Sequence, residues 1–282
     1  GTANDNVSTA QASISTLAIG NRVITAEYSG GGAGVTGYNA NTGTLSGGQL
    51  VGQANTTVGV VSNANPSVSG QSVTFTATVS VTAPGSGTPT GNVSFRDNGT
   101  NIGTCAAQTV SANVATCSIS TLSVSTHPIT AVYNGDSNFN ASPPSTAVSQ
   151  VVNKANTSVA LTSSQNPAPL GTNVTFTAAI SITSPGTGTT SGTVQFRDGA
   201  TPIAGCSAVT VAMNSAACST TALTAGNHTI SAIYSGDTNF NTSTGNLTGN
   251  PQVITGPPVL VPAVGLSRVK SAPATNSQIG TV

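Results

Sequence analysis

The octapeptide Tyr-Asn-Gly-Asp-Ser-Asn-Phe-Asn that begins at Tyr133 returns as Tyr-Ser-Gly-Asp-Thr-Asn-Phe-Asn at Tyr234, 101 residues later. A period of that length is a whole domain, since solenoid units recur every 20–50 residues or so (about one supersecondary unit). Three further pairs keep the spacing: Asn55-Thr-Thr-Val with Asn156-Thr-Ser-Val, Val73-Thr-Phe-Thr-Ala with Val174-Thr-Phe-Thr-Ala, and Phe95-Arg96-Asp97 with Phe196-Arg197-Asp198. Fainter matches run forward, where Ser15-Thr-Leu and Ile24-Thr-Ala-Glu-Tyr28 correspond to Ser120-Thr-Leu and Ile129-Thr-Ala-Val-Tyr133 at a spacing of 105. A four-residue insertion therefore falls in the Gly-rich stretch 30–48. The 282 residues divide into a partial copy at 1–53, complete copies at 54–153 and 154–254, and a tail at 255–282.

Within a copy the pattern is that of strands. Val73, Phe75, Ala77, Val79 and Val81 alternate with Thr and Ser, as do Val174, Phe176, Ala178, Ile180 and Ile182, and a period of two marks a half-buried strand. Shorter runs at 57–61, 92–95, 114–119, 128–133 and 146–152 are separated by turn dipeptides such as Pro84-Gly85, Asn98-Gly99 and Asn134-Gly135. Helix is disfavoured throughout by Thr, Val, Gly and Ser. About seven short antiparallel strands per hundred residues bury their apolar faces best as two packed sheets, so the fold class is all-β, a tandem array of β-sandwiches.

The motifs Val-Thr-Phe-Thr-Ala, Phe-Arg-Asp, Ile-Thr-Ala-Val-Tyr and Tyr-x-Gly-Asp-x-Asn-Phe resemble the bacterial Ig-like repeats of large secreted and cell-surface proteins. The resemblance covers 55–254 in full and 7–54 in part. It implies Ig-like sandwiches and an extracellular or cell-surface setting, and leaves the role open among stalks, spacers, adhesins and enzyme appendages.

Charge narrows the partners. Six acidic and six basic side chains give a net charge of zero and a charged fraction of 4%, against about 25% in an ordinary soluble domain. Such a surface cannot steer a polyanion, and nucleic acid is not an expected partner. No run of about 18 apolar residues is present to span a membrane as a helix, and residues 1–25 lack the order of a signal peptide.

Cys105 and Cys117 are twelve residues apart, as are Cys206 and Cys218. Each pair frames a hairpin in this reading and is expected to close a disulfide within its own domain, in an oxidising compartment. A four-thiolate metal site is disfavoured by one pair per domain and the absence of C-x-x-C. The partial copy has Ala12 at the position of Cys117, and the place of Cys105 falls before residue 1.

The remaining polar residues are expected to be structural. Asp136 and Asp237 suit Asx turns better than calcium, since each loop offers a single carboxylate. Arg96 and Arg197 are expected to pair with carboxylates, Asp97 and Asp198 to open hairpin turns, and His127 and His228 to be solvated strand-start residues, with Arg22 in the first copy. Tyr28, Tyr133 and Tyr234 resemble the tyrosine-corner residue, whose hydroxyl bonds the backbone. The six acids, Asp5, Glu27, Asp97, Asp136, Asp198 and Asp237, form no paired acid and base, so no catalytic, cofactor-binding or metal-ligating residue is expected.

Residue 1 aligns with residue 106, so the first copy carries only its later strands and is expected to expose an apolar face. In register, 259–261 fall where a next copy would open. The expectation is a fibre or stalk subunit whose tail strands complete the front of an identical subunit, head to tail. The alternatives are an adhesin fragment holding a surface glycan or protein through loops 82–91 and 183–192, and a non-catalytic appendage of a secreted enzyme.

Overall fold

The structure is a computed structural model that describes residues 9–31 and 38–257. In the front segment β1 (Gly20–Arg22), β2 (Thr25–Tyr28), β3 (Asn41–Thr44) and β4 (Gln49–Val51) form two antiparallel pairs, β1 with β4 and β2 with β3. The second copy contains β5 (Thr56–Ser62), β6 (Ser67–Val68), β7 (Val73–Val81), β8 (Asn92–Asp97), β9 (Thr100–Asn101), β10 (Gln108–Thr109), β11 (Val114–Ile119), β12 (Thr126–Tyr133) and β13 (Val148–Asn153). One sheet has the order β11-β7-β5 and the other β10-β8-β12-β13-β6. The first strand thus changes sheets: β5 lies antiparallel to β7, and its continuation β6 runs parallel to β13.

The third copy repeats this with β14 (Thr157–Ser163), β15 (Ala168–Pro169), β16 (Val174–Ile182), β17 (Thr193–Asp198), β18 (Thr201–Pro202), β19 (Val209–Thr210), β20 (Ser215–Thr220), β21 (Gly226–His228), β22 (Ile230–Tyr234), β23 (Ser243–Asn246) and β24 (Gln252–Thr255). Its first sheet is β14-β16-β20, and its second is interrupted into β18-β17-β22-β23 and β15-β24-β21.

The alternation read from the sequence is the packing. Val73, Phe75, Ala77 and Val79 point inward with Thr74, Thr76 and Thr78 outward, and β16 has the same pattern. Phe75 and Phe95 face each other's sheets in one core, Phe176 and Phe196 in the other. Asn98 and Gly99, both at positive φ, make the two-residue turn between β8 and β9 that right-handed strand twist favours. One polar detail separates the copies. Asn214 Oδ1 accepts from the Thr190 amide (2.7 Å) and hydroxyl (2.9 Å). Pro89 stands at the matching place in the second copy with neither donor, and Asn113 Oδ1 is left without a partner among the described residues.

The front segment keeps the register of the complete copies, with Arg22 opposite Gln49 as His127 is opposite Gln150 and His228 opposite Gln252. Its burial differs. Tyr133 and Tyr234 are fully buried, while Tyr28 is 49% exposed, and Val23 and Leu50 are each 76% exposed. In the complete copies β12 and β22 pair along their other edge with β8 and β17; among the described residues nothing pairs with that edge of β2. The expected opening strand at 259–261 and the donor strands of the tail lie outside the described residues.

Candidate functional site

The Gly-Asp-x-Asn-Phe loop that reveals the repeat lies where one domain is joined to the next. Asp136 Oδ1 accepts the amides of Asn138 (2.8 Å) and Phe139 (3.0 Å), which is an Asx turn. Its Oδ2 accepts the Thr90 amide and hydroxyl (both 2.8 Å) and the Tyr133 hydroxyl (2.9 Å). Asp237 repeats the set with Asn239, Phe240, Ser191 and Tyr234. With five donors on two oxygens the carboxylate's acceptor capacity is filled within the protein, and it ties the loops together. Burial is the largest influence on Asp136 and opposes ionisation; the bonds from Thr90, Asn138 and Tyr133 outweigh it and hold the carboxyl well below the usual range. Burial first, and then the neighbouring carboxylate, push the Tyr133 phenol above its ordinary value. The hydroxyl, expected to bond backbone, has the Thr90 amide beside it and donates its proton to the carboxylate three residues on, which is within reach.

The same loop captures the linker. Ala54 donates to Asn138 O (3.0 Å) and accepts from the Asn140 amide (2.9 Å); Ala155 does so with Asn239 and Asn241, both at 2.9 Å. Gln53 Nε2 and Lys154 Nζ donate to the carbonyls of Asp136 and Asp237. Asn140 and Asn241 amides reach Asn55 and Asn156. The chain therefore enters each domain as a bridged strand and not as a free tether.

Across the joint Thr187 Oγ1 donates to Gly70 O at 2.7 Å. A groove there is lined by Ser69, Ser120 to Ser123, Thr187 to Thr189 and Phe240. Its counterpart ahead of the second domain is lined by Ser15 to Ile19, Pro84 to Thr88 and Phe139. Both joints bring a Ser-Thr-Leu loop to a Pro-Gly-x-Gly-Thr loop, so loops 82–91 and 183–192, expected to be free for a ligand, are committed in part to the joints. A Cβ on Gly70, at φ +77°, would collide with the Thr187 carbonyl oxygen, whereas one on Gly171, at φ +83°, would meet open space. Gly70→Ala and Gly171→Ala should each cost about 1 kcal/mol of backbone strain. Only Gly70→Ala should broaden the small-angle scattering distance distribution by opening the joint, and equal profiles for the two variants would refute the contact.

His127 and His228 are buried, contrary to the solvated role expected of them. Nδ1 of each faces an aspartate thirty residues earlier, Asp97 at 2.7 Å and Asp198 at 2.6 Å. Nε2 faces a carbonyl four residues earlier, Ser123 O at 2.9 Å and Thr224 O at 2.8 Å. The arginines do not pair with carboxylates: Arg96 donates to Asn101 Oδ1 (3.1 Å) and Arg197 to Gln195 Oε1 (2.6 Å). The histidines have taken the carboxylates because the neighbouring strands set them side by side. Ser125 Oγ lies 2.9 Å from His127 Nε2, which places Asp, His and Ser in a row. The ring nitrogen also faces a carbonyl, however, and Gly226 stands at the serine position in the third copy, so the row is not a repeated nucleophile and base.

Cys105 is bonded to Cys117 and Cys206 to Cys218, all four buried. The expected placement on facing hairpin strands is corrected. Ala112 and Asn113 do form a tight turn at positive φ, but Cys105 ends a short 3-10 turn, Gly103–Cys105, and β10 pairs with β8 and not with β11. The bridge ties this connecting turn to the opposite sheet.

A family model described as bacterial Ig-like domain (group 3) matches residues 60–153 and 161–250, more than half of the chain. No curated protein matches. Among solved structures, the fibronectin(III)-like modules of Clostridium thermocellum CbhA are 18% identical, over 70% of this chain and 94% of that one, with a TM-score of 0.28. A bacterial ice-binding adhesin of 1.5 MDa is 14% identical over 72% and 66% (TM-score 0.30), and Yersinia pseudotuberculosis adhesin InvE 16% over 68% and 58% (TM-score 0.34). The chain thus spans less than two thirds of the length of these two adhesin structures. No helix among the described residues is long and apolar enough to cross a membrane. Two tandem matches, two sandwiches and motifs that recur at the same loops lead to one conclusion: the chain belongs to the bacterial Ig-like domain (group 3) family.

Proposed function

We propose that this chain is a non-catalytic, extracellular structural protein, a spacer or fibre subunit that sets distance and bears load. The observation that carries the reading is the linker capture at Ala54 and Ala155, made with the same atoms at both joints. A linker bonded into the domain it enters resists bending, and a joint repeated with the domain period gives a regular rod. Disulfides in each complete domain suit an oxidising exterior.

The front segment is, in this reading, the end that accepts another chain. The exposed Val23, Tyr28 and Leu50 and the open edge of β2 support it, because each is covered or paired at the matching place in the complete copies. The donor is the tail of an identical subunit. Electron microscopy of the purified chain is expected to show fibres that are lost when 257–282 are removed. Monodisperse particles from the whole chain, or fibres from the shortened one, would refute strand exchange, and scattering from freely jointed domains would refute the spacer.

A further inference from the structure

In both complete copies the first strand crosses from one sheet to the other and is fastened, at the crossing, to the last strand. Beyond the crossing β6 runs parallel to β13, Ser67 beside Val152 and Val68 beside Asn153, and the Ser69 amide donates to Asn153 O at 2.8 Å. β15 and β24 repeat this, with the Leu170 amide donating to Thr255 O at 2.9 Å. Side chains bind the crossing itself. Gln150 of β13 is fully buried; its Nε2 donates to Ala64 O (2.9 Å) and Ser67 Oγ (3.1 Å), and its Oε1 accepts from Ser62 Oγ (2.6 Å). Asn65, which is exposed, donates to Ser149 O (2.8 Å) and accepts the Val151 amide (2.9 Å). In the third copy Gln252 donates to Gln165 O (2.8 Å), while Asn166 donates to Pro251 O (3.0 Å) and accepts the Val253 amide (2.9 Å). Gln49 has this place in the front segment, where it is exposed and its Nε2 donates to the adjoining Leu50 O. Among the described residues the fastening is found only where a first and a last strand lie together.

The position of these bonds decides what tension does to them. The chain enters a domain ahead of β5 and leaves it behind β13, and because β6 and β13 are parallel, entry and exit are at opposite ends of the pair. A pull between neighbouring domains therefore draws the two strands past each other along their own axes. Bonds between strands sheared in this way are loaded together, whereas a hairpin pulled from its open end loses its bonds one at a time. The ladder of β5 with β7 is also on the path. But β5 is an edge strand whose alternate side chains are exposed, and breaking its ladder leaves β6 still held to β13.

We propose that the crossing of the first strand, fastened by Gln150 and Asn65 in the second domain and by Gln252 and Asn166 in the third, is a shear latch that sets the force at which each domain opens. The disulfides are outside it. Cys105 to Cys117 and Cys206 to Cys218 join residues that lie between the two pulled strands in sequence, so the direct path from β6 to β13 bypasses them. Once the latch has opened, they withhold the residues between them from extension. Strength and stability thus belong to different bonds, since a disulfide acts mainly by restricting the unfolded chain and forced opening is governed by the unfolding rate.

The latch rests on the spacer reading only for its use, and single-molecule force spectroscopy on the whole chain, pulled by its two ends, reads it directly. The bridge holds the Cα atoms of Cys105 and Cys117, twelve residues apart, at 5.6 Å. Replacing both by Ala should lengthen the second-domain step by about 35 Å, at about 3.4 Å per extended residue. Its opening force should stay where it was while its denaturant midpoint falls. With the steps so identified, Asn65→Ala should raise the opening rate of the second domain at constant force roughly tenfold, the effect of losing two hydrogen bonds. Asn166→Ala should do the same to the third. Asn63→Ala is the control: Asn63 Oδ1 accepts the Thr74 amide of β7 at 2.8 Å, away from β13, and its loss should leave the rate nearly unchanged. Equal effects of Asn63→Ala and Asn65→Ala, or an opening force that falls as far on loss of the bridge as with Asn65→Ala, would overturn the latch. A chain that scatters as freely jointed domains, yet opens with this dependence on Asn65, would instead remove the spacer.

Discussion

Asp136→Ala is expected to destabilise the second domain by about 3 to 4 kcal/mol, and Asp237→Ala the third by as much, from the loss of several charge-assisted hydrogen bonds and the donors left unpaired. Asp136 receives five donors from three segments, so its removal frees the Thr90 loop, the Asn138-Phe139 turn and, through that turn, the bridge to Ala54. The Tyr133 hydroxyl is left buried without its acceptor. Tyr133→Phe should cost about 1 kcal/mol, since one neutral donor is lost and the carboxylate keeps four. Urea unfolding followed by tyrosine circular dichroism measures both, the chain having no Trp. An Asp136→Ala midpoint equal to that of the unaltered chain would remove the lock. The acid limb has a definite sign. The folded Asp136 and Asp237 values lie below the ordinary 3.8, so their stabilisation is present above about pH 4 and is lost progressively as pH falls from there through the lower, folded values. The denaturant midpoint should accordingly fall with pH below about 4 in the unaltered chain and less so in the Asp136→Ala variant.

Reducing the disulfides is expected to cost about 3 kcal/mol in each complete domain, the chain-entropy value for closing so short a loop. The same loss should follow from Cys105→Ala with Cys117→Ala, and from Cys206→Ala with Cys218→Ala. These pairs fasten the connecting turn after β9 and its counterpart in the third copy to β11 and β20, so their loss also frees the segment that covers Ile102 and Ile203 at the core edge. The midpoint of denaturant unfolding with and without reductant measures the effect domain by domain, each single pair serving as the other's control. An unchanged midpoint after verified reduction would show that the bridges are incidental.

Much of the architecture could be read from the chain because it is local. Alternation at 73–81 and 174–182 is a property of consecutive residues, and the two observed strands run over those residues with the apolar side chains inward. The Asn98-Gly99 turn declares itself for the same reason, since its backbone signs require those residue types. The candidate site was less legible. The motif Gly-Asp-x-Asn-Phe was visible and its Asx turn was expected, but not its partners Thr90, 46 residues away, or Ala54, more than 80 away. One signal was available for the histidines. Arg22, His127 and His228 occupy one position of the repeat, and a place that accepts arginine or histidine asks for a side-chain N–H donor.

The sequence by itself determined the period, the number of complete copies, the strands and the equal spacing of the two cysteine pairs, because each depends on the order of neighbouring residues. Only the tertiary structure decided what the polar residues do. Which strand lies beside which brings His127 to Asp97 and leaves Arg96 to Asn101; the path of the chain between sheets puts Cys105 in a turn; and the close approach of two domains makes Gly70 a contact. A carboxylate finds its partners in space, and the distances that choose them are set by sheet packing across thirty to ninety residues, which no local pattern encodes.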